Sequence, residues 1–236
     1  MKKLSILFST ASILFFTSCE KVVGEGDLRT EARSTGDFAG LEAQVSGNVY
    51  YIQGNEHKVE LTAQQNVLNV IETPINNNKL VIRFKNDVRV RSHEQITIRV
   101  TAPSLSSIGS SGSGNVTVSS PLVGNSLSFN LSGSGNMMLS TISASHIETT
   151  ISGSGNISIA SGSATTGVFK VSGSGGIEAQ GLLSKSATAK TSGSGTIKLN
   201  VSETLNATIS GSGSVFYSGN PIINTSISGS GRVVHL

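Results

Sequence analysis

Tryptophan is absent from this 236-residue chain; tyrosine occurs three times, proline four times and cysteine once. A single cysteine excludes an intrachain disulfide, so stability has to come from packed apolar faces. With few aromatics and no basic patch interleaved with them, the chain lacks the footprint of a nucleic-acid binder. The formal charge of +3 includes Lys2 and Lys3; without them 15 basic and 14 acidic residues nearly cancel. No stretch reaches the ~20 apolar residues of a membrane-spanning helix, and Leu4 to Phe16 is interrupted by Ser and Thr.

What is present is a repeat. Ser-Gly-Ser-Gly begins at Ser111, Ser132, Ser152, Ser172, Ser192, Ser210 and Ser228, in steps of 21, 20, 20, 20, 18 and 18 residues. So regular a period marks a structural module that stacks on its neighbours. The residue before the tetrapeptide is Leu131, Ile151, Val171, Thr191, Ile209 or Ile227 in the last six copies. The fifth residue after its first Ser is Val116, Met137, Ile157, Ile177, Ile197, Val215 or Val233. Alternation of apolar and polar residues on both sides predicts strand, tight glycine turn, strand and a looser turn in each unit. Glycine suits a bend that needs positive φ or close backbone approach. Ser can bond the local backbone or its counterpart in the next unit. About twenty residues per unit, with no helical period, predict an all-β chain: a parallel β-solenoid with one coil per repeat. An antiparallel sandwich or barrel is the alternative.

The front of the chain reads as a lipoprotein signal. Met1-Lys2-Lys3 is basic, Leu4 to Phe16 is largely apolar, and Thr17-Ser18 are small residues before Cys19. That order is a secretory signal, and Phe16-Thr17-Ser18-Cys19 resembles a bacterial lipoprotein cleavage box, with Phe16 where Leu is usual. Residues 1–18 are expected to be removed and Cys19 to become the acylated, membrane-attached N-terminus. Residues 19–35 are polar and aperiodic, and read as a flexible tether.

Residues 36–236 read as a single domain, regular from 105 onward and less regular before. Strands are expected at Leu41 to Val45, Asn48 to Gln53, Lys58 to Ala63, Val67 to Glu72, Leu80 to Phe84 and Gln95 to Thr101. Val45-Ser46-Gly47-Asn48-Val49 looks like a worn copy of the repeat. Residues 20–104 carry 21 charged side chains and residues 105–236 only eight.

The runs Phe38-Ala-Gly-Leu-Glu, Val45-Ser-Gly-Asn-Val, Leu80-Val-Ile-Arg-Phe and Ile96-Thr-Ile-Arg-Val, then Ala102-Pro103 leading into the tetrapeptides, carry a resemblance. Together they resemble the putative auto-transporter adhesin, head GIN domain family, over about residues 36–236. The resemblance implies a pectin-lyase-like β-helix, export to a cell envelope (often as a lipoprotein) and a role in adhesion. The family has no accepted catalytic residues to carry over.

The residues themselves offer little chemistry. A polysaccharide lyase or hydrolase needs carboxylates, or a base with a cation, converging on one groove. Among the repeats only Glu148, Glu178 and Glu203 are acidic, at different places in their units. Glu178 is expected beside Lys198 of the next copy as a surface charge pair. Arg83, Lys85, Asp87, Arg89, Arg91 and His93 form the densest polar cluster, a candidate patch for an anionic ligand or simply a solvated strand face. Asn115, Asn136 and Asn156 follow three successive tetrapeptides and are expected to form a hydrogen-bonded ladder. His57, His93, His146 and His235 show no ligand spacing, and no cofactor or metal is expected. In the last two copies the outward position turns apolar, at Phe216 and Val234, marking a candidate surface for self-association.

The sequence therefore points to a non-catalytic adhesin or interaction scaffold, exported and lipid-anchored in the cell envelope at the outer membrane. Its expected partners are the membrane through Cys19, a glycan or cell-surface protein, and a second copy of itself. A carbohydrate-active enzyme on the same fold and a purely structural envelope protein are the alternatives.

Overall fold

The computed structural model describes residues 20–236; the signal residues 1–18 and Cys19 lie outside the described residues. The first strands are β1 (Glu20–Val23), β2 (Leu28–Arg33), β3 (Gly40–Ala43), β4 (Asn48–Gln53) and β5 (Lys58–Gln64). A one-turn helix α1 (Gln65–Leu68) follows, then β6 (Ile71–Glu72), β7 (Ile75–Asn76), β8 (Lys79–Phe84), β9 (Val88–Ser92) and β10 (Thr97–Ala102). The regular part comprises β11 (Ser107–Ser110), β12 (Val116–Val118), β13 (Leu122–Leu131), β14 (Asn136–Ile151), β15 (Asn156–Gly173), β16 (Gly176–Gly193), β17 (Thr196–Gly211), β18 (Ser214–Ser218), β19 (Ile222–Ser228) and β20 (Arg232–His235).

Coil stacks on coil through parallel, in-register ladders, giving a β-solenoid of about six turns with ~20 residues per turn. One wall runs β8–β3–β11–β13–β14–β15–β16–β17–β19. A second runs β10–β4–β12–β14–β15–β16–β17–β18–β20. Apolar residues at equivalent repeat positions fall into register, as Val116, Met137, Ile157, Ile177, Ile197, Val215 and Val233 do. Val49 pairs with Val116, so the worn copy is a true coil. On the other wall Leu131, Ile151, Val171, Thr191 and Ile209 stack in the same way and are buried. The sandwich alternative is thereby excluded for the repeats.

The glycines are needed mainly because coils approach closely along the stacking axis. A Cβ at Gly135 would lie 1.8 Å from the carbonyl oxygen of Gly114, and one at Gly155 would lie 2.1 Å from that of Gly135. Only the later copies add positive φ, as at Gly173 and Gly193.

Three expectations need correction. Residues 20–33 are not a structureless tether. β1 pairs in parallel with β9, and β2 pairs antiparallel with β5. Only Val22 of the two strands is buried, so backbone ladders hold them and side-chain periodicity gives no sign of it. Second, Val67 to Glu72 is not one strand. Val67, Leu68, Val70 and Ile71 are all buried, and a strand cannot turn adjacent residues to one face; α1 can. Third, the looser turn does not interrupt the strand in the long coils: β14 to β17 each run on from one tetrapeptide to the next and bend from the second wall to the first. The two-residue shortening between Ser192 and Ser210 is absorbed by two register shifts, one after Ala179, where Leu183 pairs with Asn200, and one after Ser184, where Ser186 pairs with Thr204.

Two stability effects arise from this packing. Thr191 occupies an Ile/Val column, is buried, and its hydroxyl finds no hydrogen-bond partner. Thr191→Val keeps the shape and removes an unsatisfied polar group, so denaturant melts are expected to show about 1 kcal/mol more stability. Glu42 stacks against Gly109 of the next coil. Burial pushes its carboxyl up from the ordinary 4.5, with the Lys79 ammonium opposing. The folded state thus holds this proton more tightly than the unfolded state does. The stability it contributes is fully present below about pH 4.5 and is lost as pH rises through the raised folded-state value. Glu42→Gln is expected to raise the melting temperature at pH 7 and to leave it nearly unchanged at pH 4.

Candidate ligand-binding face

The six residues of the polar cluster do not converge. Arg83, on β8, pairs with Glu72 at 3.2 Å. His93 faces the Glu94 carbonyl through Nδ1 at 2.6 Å. Asp87 takes a left-handed turn conformation, φ 64°, before β9. Arg89 and Arg91 lie exposed on β9, while Val88 and Val90 of the same strand pack against the core. This is a solvated strand face, widened by Lys21 in register with Arg89.

The second wall is different. Asn48, Asn115, Asn136 and Asn156 are stacked at its tetrapeptide corner. The Asn136 side-chain amide donates to Asn115 Oδ1 at 3.1 Å, and that of Asn156 donates to Asn136 Oδ1 at 3.1 Å. Asn115 reaches Asn48 at 3.4 Å, so the ladder begins one coil earlier than the tetrapeptides do. It ends at Gly176, which is in register with Asn156 and has no side chain to continue it. Among the described residues no donor reaches Asn156 Oδ1.

Beside this gap Glu178 pairs with Lys198 of the next coil at 2.9 Å, the contact expected from the repeat spacing. Phe216 follows Lys198 in the same column, and Val234 follows Phe216. Phe216 therefore belongs to the lateral wall, half-buried, and lines a hollow of about 350 Å³ with Asn156, Gly176, Glu178, Thr196 and Lys198. The apolar surface at the end of the stack comes instead from Ile222, Ile223 and Ile227, which are 73%, 39% and 45% exposed.

Two further polar contacts were not legible as sites. Lys170 pairs with Glu148 of the preceding coil at 2.7 Å; the contact is diagonal, since Glu148 is in register with Val168, so counting twenty residues forward misses it. His57 lies edge-on to Phe38, with Nδ1 3.1 Å from the Asp37 carboxylate and Nε2 3.0 Å from the Phe38 carbonyl. Both ring nitrogens thus have protein oxygens as neighbours. Among the described residues no three His, Cys, Asp or Glu side chains gather as metal ligands. No helix among them is long and apolar enough to cross a membrane.

Comparison with known proteins agrees with this geometry. The family described as putative auto-transporter adhesin, head GIN domain, matches residues 37–221. A crystal structure of a putative adhesin from Bacteroides fragilis shares 25% identity, with TM-score 0.86 over 91% of this chain and 100% of that one. A putative adhesin from Parabacteroides distasonis shares 27% identity, with TM-score 0.73 over 92% and 100% of the two chains. One from Parabacteroides merdae, at 24% identity and TM-score 0.75 over 92% and 99%, shares the fold. No functionally curated protein matches the chain.

Proposed function

The chain belongs to the putative auto-transporter adhesin, head GIN domain family, and on that premise we propose that it is an exported, lipid-anchored scaffold that adheres through the side walls of its solenoid without turning over what it binds. The observation that carries this reading is the disposition of acids on the regular coils. Glu148 and Glu178 each lie against a lysine of a neighbouring coil, at 2.7 and 2.9 Å. Catalysis by paired carboxylates needs two of them facing one bond; here Glu148 and Glu178 stand on different coils and each faces its own lysine. A rigid wall of stacked side chains suits recognition. The anchor at Cys19 would sit one residue before β1, which is stitched to the domain by the Glu20 amide donating to the Asp87 carbonyl at 2.8 Å. The domain would then stand close to the bilayer.

Adhesion is tested with cells producing the full chain, on surfaces coated with glycans or matrix proteins. Greater attachment than that of cells producing Cys19→Ala is expected. Equal attachment on every coating would remove the adhesive role.

Self-association follows from a separate observation. Ile223 and Ile227 continue the buried Leu205 and Ile209 columns and are themselves exposed. The opposite end is covered by β5 and β2, so two copies would meet through their final coils in a two-fold contact. Sedimentation of the full chain in detergent is expected to show a dimer that Ile227→Asp reduces to monomer. A concentration-independent monomer would contradict it.

A further inference from the structure

We infer that the hollow at Gly176 is a binding site for one ring of an uncharged sugar. This deepens the adhesion reading, on which it rests, by naming where the contact is made and with what chemistry.

Four groups meet there, each from a different coil. Asn156 supplies a carbonyl oxygen at the open end of a hydrogen-bonded amide column. Successive amides in such a column polarise one another, which strengthens the last acceptor. Glu178 and Lys198 supply an acceptor and a donor 2.9 Å apart. Phe216 supplies an aromatic surface beside Lys198 in the wall's register. Gly176 makes the room. A Cβ there would come within 2.9 Å of Asn156 Oδ1, and any side chain would fill the space beyond. The volume, about 350 Å³, is at the small end for ligand sites.

A pyranose matches this set on each count. One of its faces is made of C–H groups and rests on an aromatic ring, while its rim presents hydroxyls that both donate and accept. Neighbouring hydroxyls would bridge Glu178 and Lys198, and a third would donate to Asn156. The carboxylate and the ammonium cancel, leaving no net charge to attract a phosphate or a uronate. A neutral sugar is therefore the class that fits.

Gly176→Asn provides a test that does not depend on breaking the protein. It continues the existing ladder from Asn156 and closes the hollow, and the chain should fold as before. The probes are the methyl glycosides of glucose, galactose, mannose and N-acetylglucosamine, with methyl glucuronide for comparison. Each is titrated into the isotope-labelled full chain in detergent while the amide signals are followed by NMR. At least one neutral glycoside is expected to shift Gly176, Glu178, Thr196 and Lys198 saturably. Phe216→Ala should weaken that binding about tenfold or more, and Gly176→Asn should abolish it with unchanged thermal stability. Absence of shifts at these residues with all four neutral glycosides would overturn the inference. So would tighter binding of the glucuronide, or binding that persists in Gly176→Asn. Cell attachment by Gly176→Asn separates the two claims. Attachment that survives while the hollow binds no sugar would sink this site and leave the adhesion reading intact.

Discussion

Gly135→Ala is expected to destabilise the fold by about 3 kcal/mol or more. Overpacking of a core side chain usually costs less because the neighbouring side chains can turn aside. Here the obstacle is backbone. The added methyl would meet the Gly114 carbonyl oxygen at 1.8 Å and its carbon at 2.9 Å. Relief requires the two coils to separate at the corner, which strains the ladder that joins Met137 to Val116 and Leu139 to Val118. Ser134, exposed at the same corner, serves as the control; Ser134→Ala should change stability by less than about 0.5 kcal/mol. Denaturant melts of the two variants check both. A Gly135→Ala loss no larger than the Ser134→Ala loss would mean that the coils are not stacked as closely as this.

Cys19→Ala is expected to move nearly all of the protein from the membrane fraction to the soluble fraction and to end incorporation of labelled acyl chains. The effect should be close to all-or-none. Several acyl chains bind a bilayer stably, whereas one gives only marginal attachment. Among the described residues no helix is long and apolar enough to cross a membrane and serve as a second anchor. Acyl label that persists in Cys19→Ala would rule out this attachment. The entry of Glu20 directly into β1 adds a consequence. Without a tether, the lateral walls would be held within a short reach of the bilayer, so inserting a flexible linker after Cys19 should increase attachment to bulky coated surfaces.

The regular coils could be read from sequence because their apolar residues recur at one place in every copy, and stacking turns that recurrence directly into a buried column. Val45 to Val49 shows how far this reaches: a degraded copy without a full tetrapeptide still pairs with the coil above it. β1 and β2 stayed hidden for the opposite reason. They are held by main-chain hydrogen bonds and bury a single side chain, so their side-chain pattern carries no signal. At α1 the signal existed, as buried residues at 67, 68, 70 and 71. Spacing of that kind belongs to a helical turn and was masked by the β-branched residues around it.

The candidate site divides in the same way. The Glu178–Lys198 pair and the asparagine row follow from counting forward by one repeat, twenty or twenty-one residues. The role of Gly176 does not, because in sequence it looks like the end of a ladder, and only the wall places an aromatic ring and a charge pair beside the gap. Phe216 was legible as an unusual apolar residue at an outward position. Its neighbour Lys198 lies eighteen residues back, after the coil length has changed, and that shift hides the grouping.

Binding and turnover measured on one sample test the central claim most directly. The purified full chain in detergent is incubated with a panel of neutral and acidic polysaccharides, and bound material and polymer length are followed together. Retention of at least one polysaccharide at unchanged length, with the retention lost in Gly176→Asn, is the result expected of an adhesive scaffold. Shortening of any polymer that disappears when Glu178 or Asp87 is replaced would show an enzyme instead.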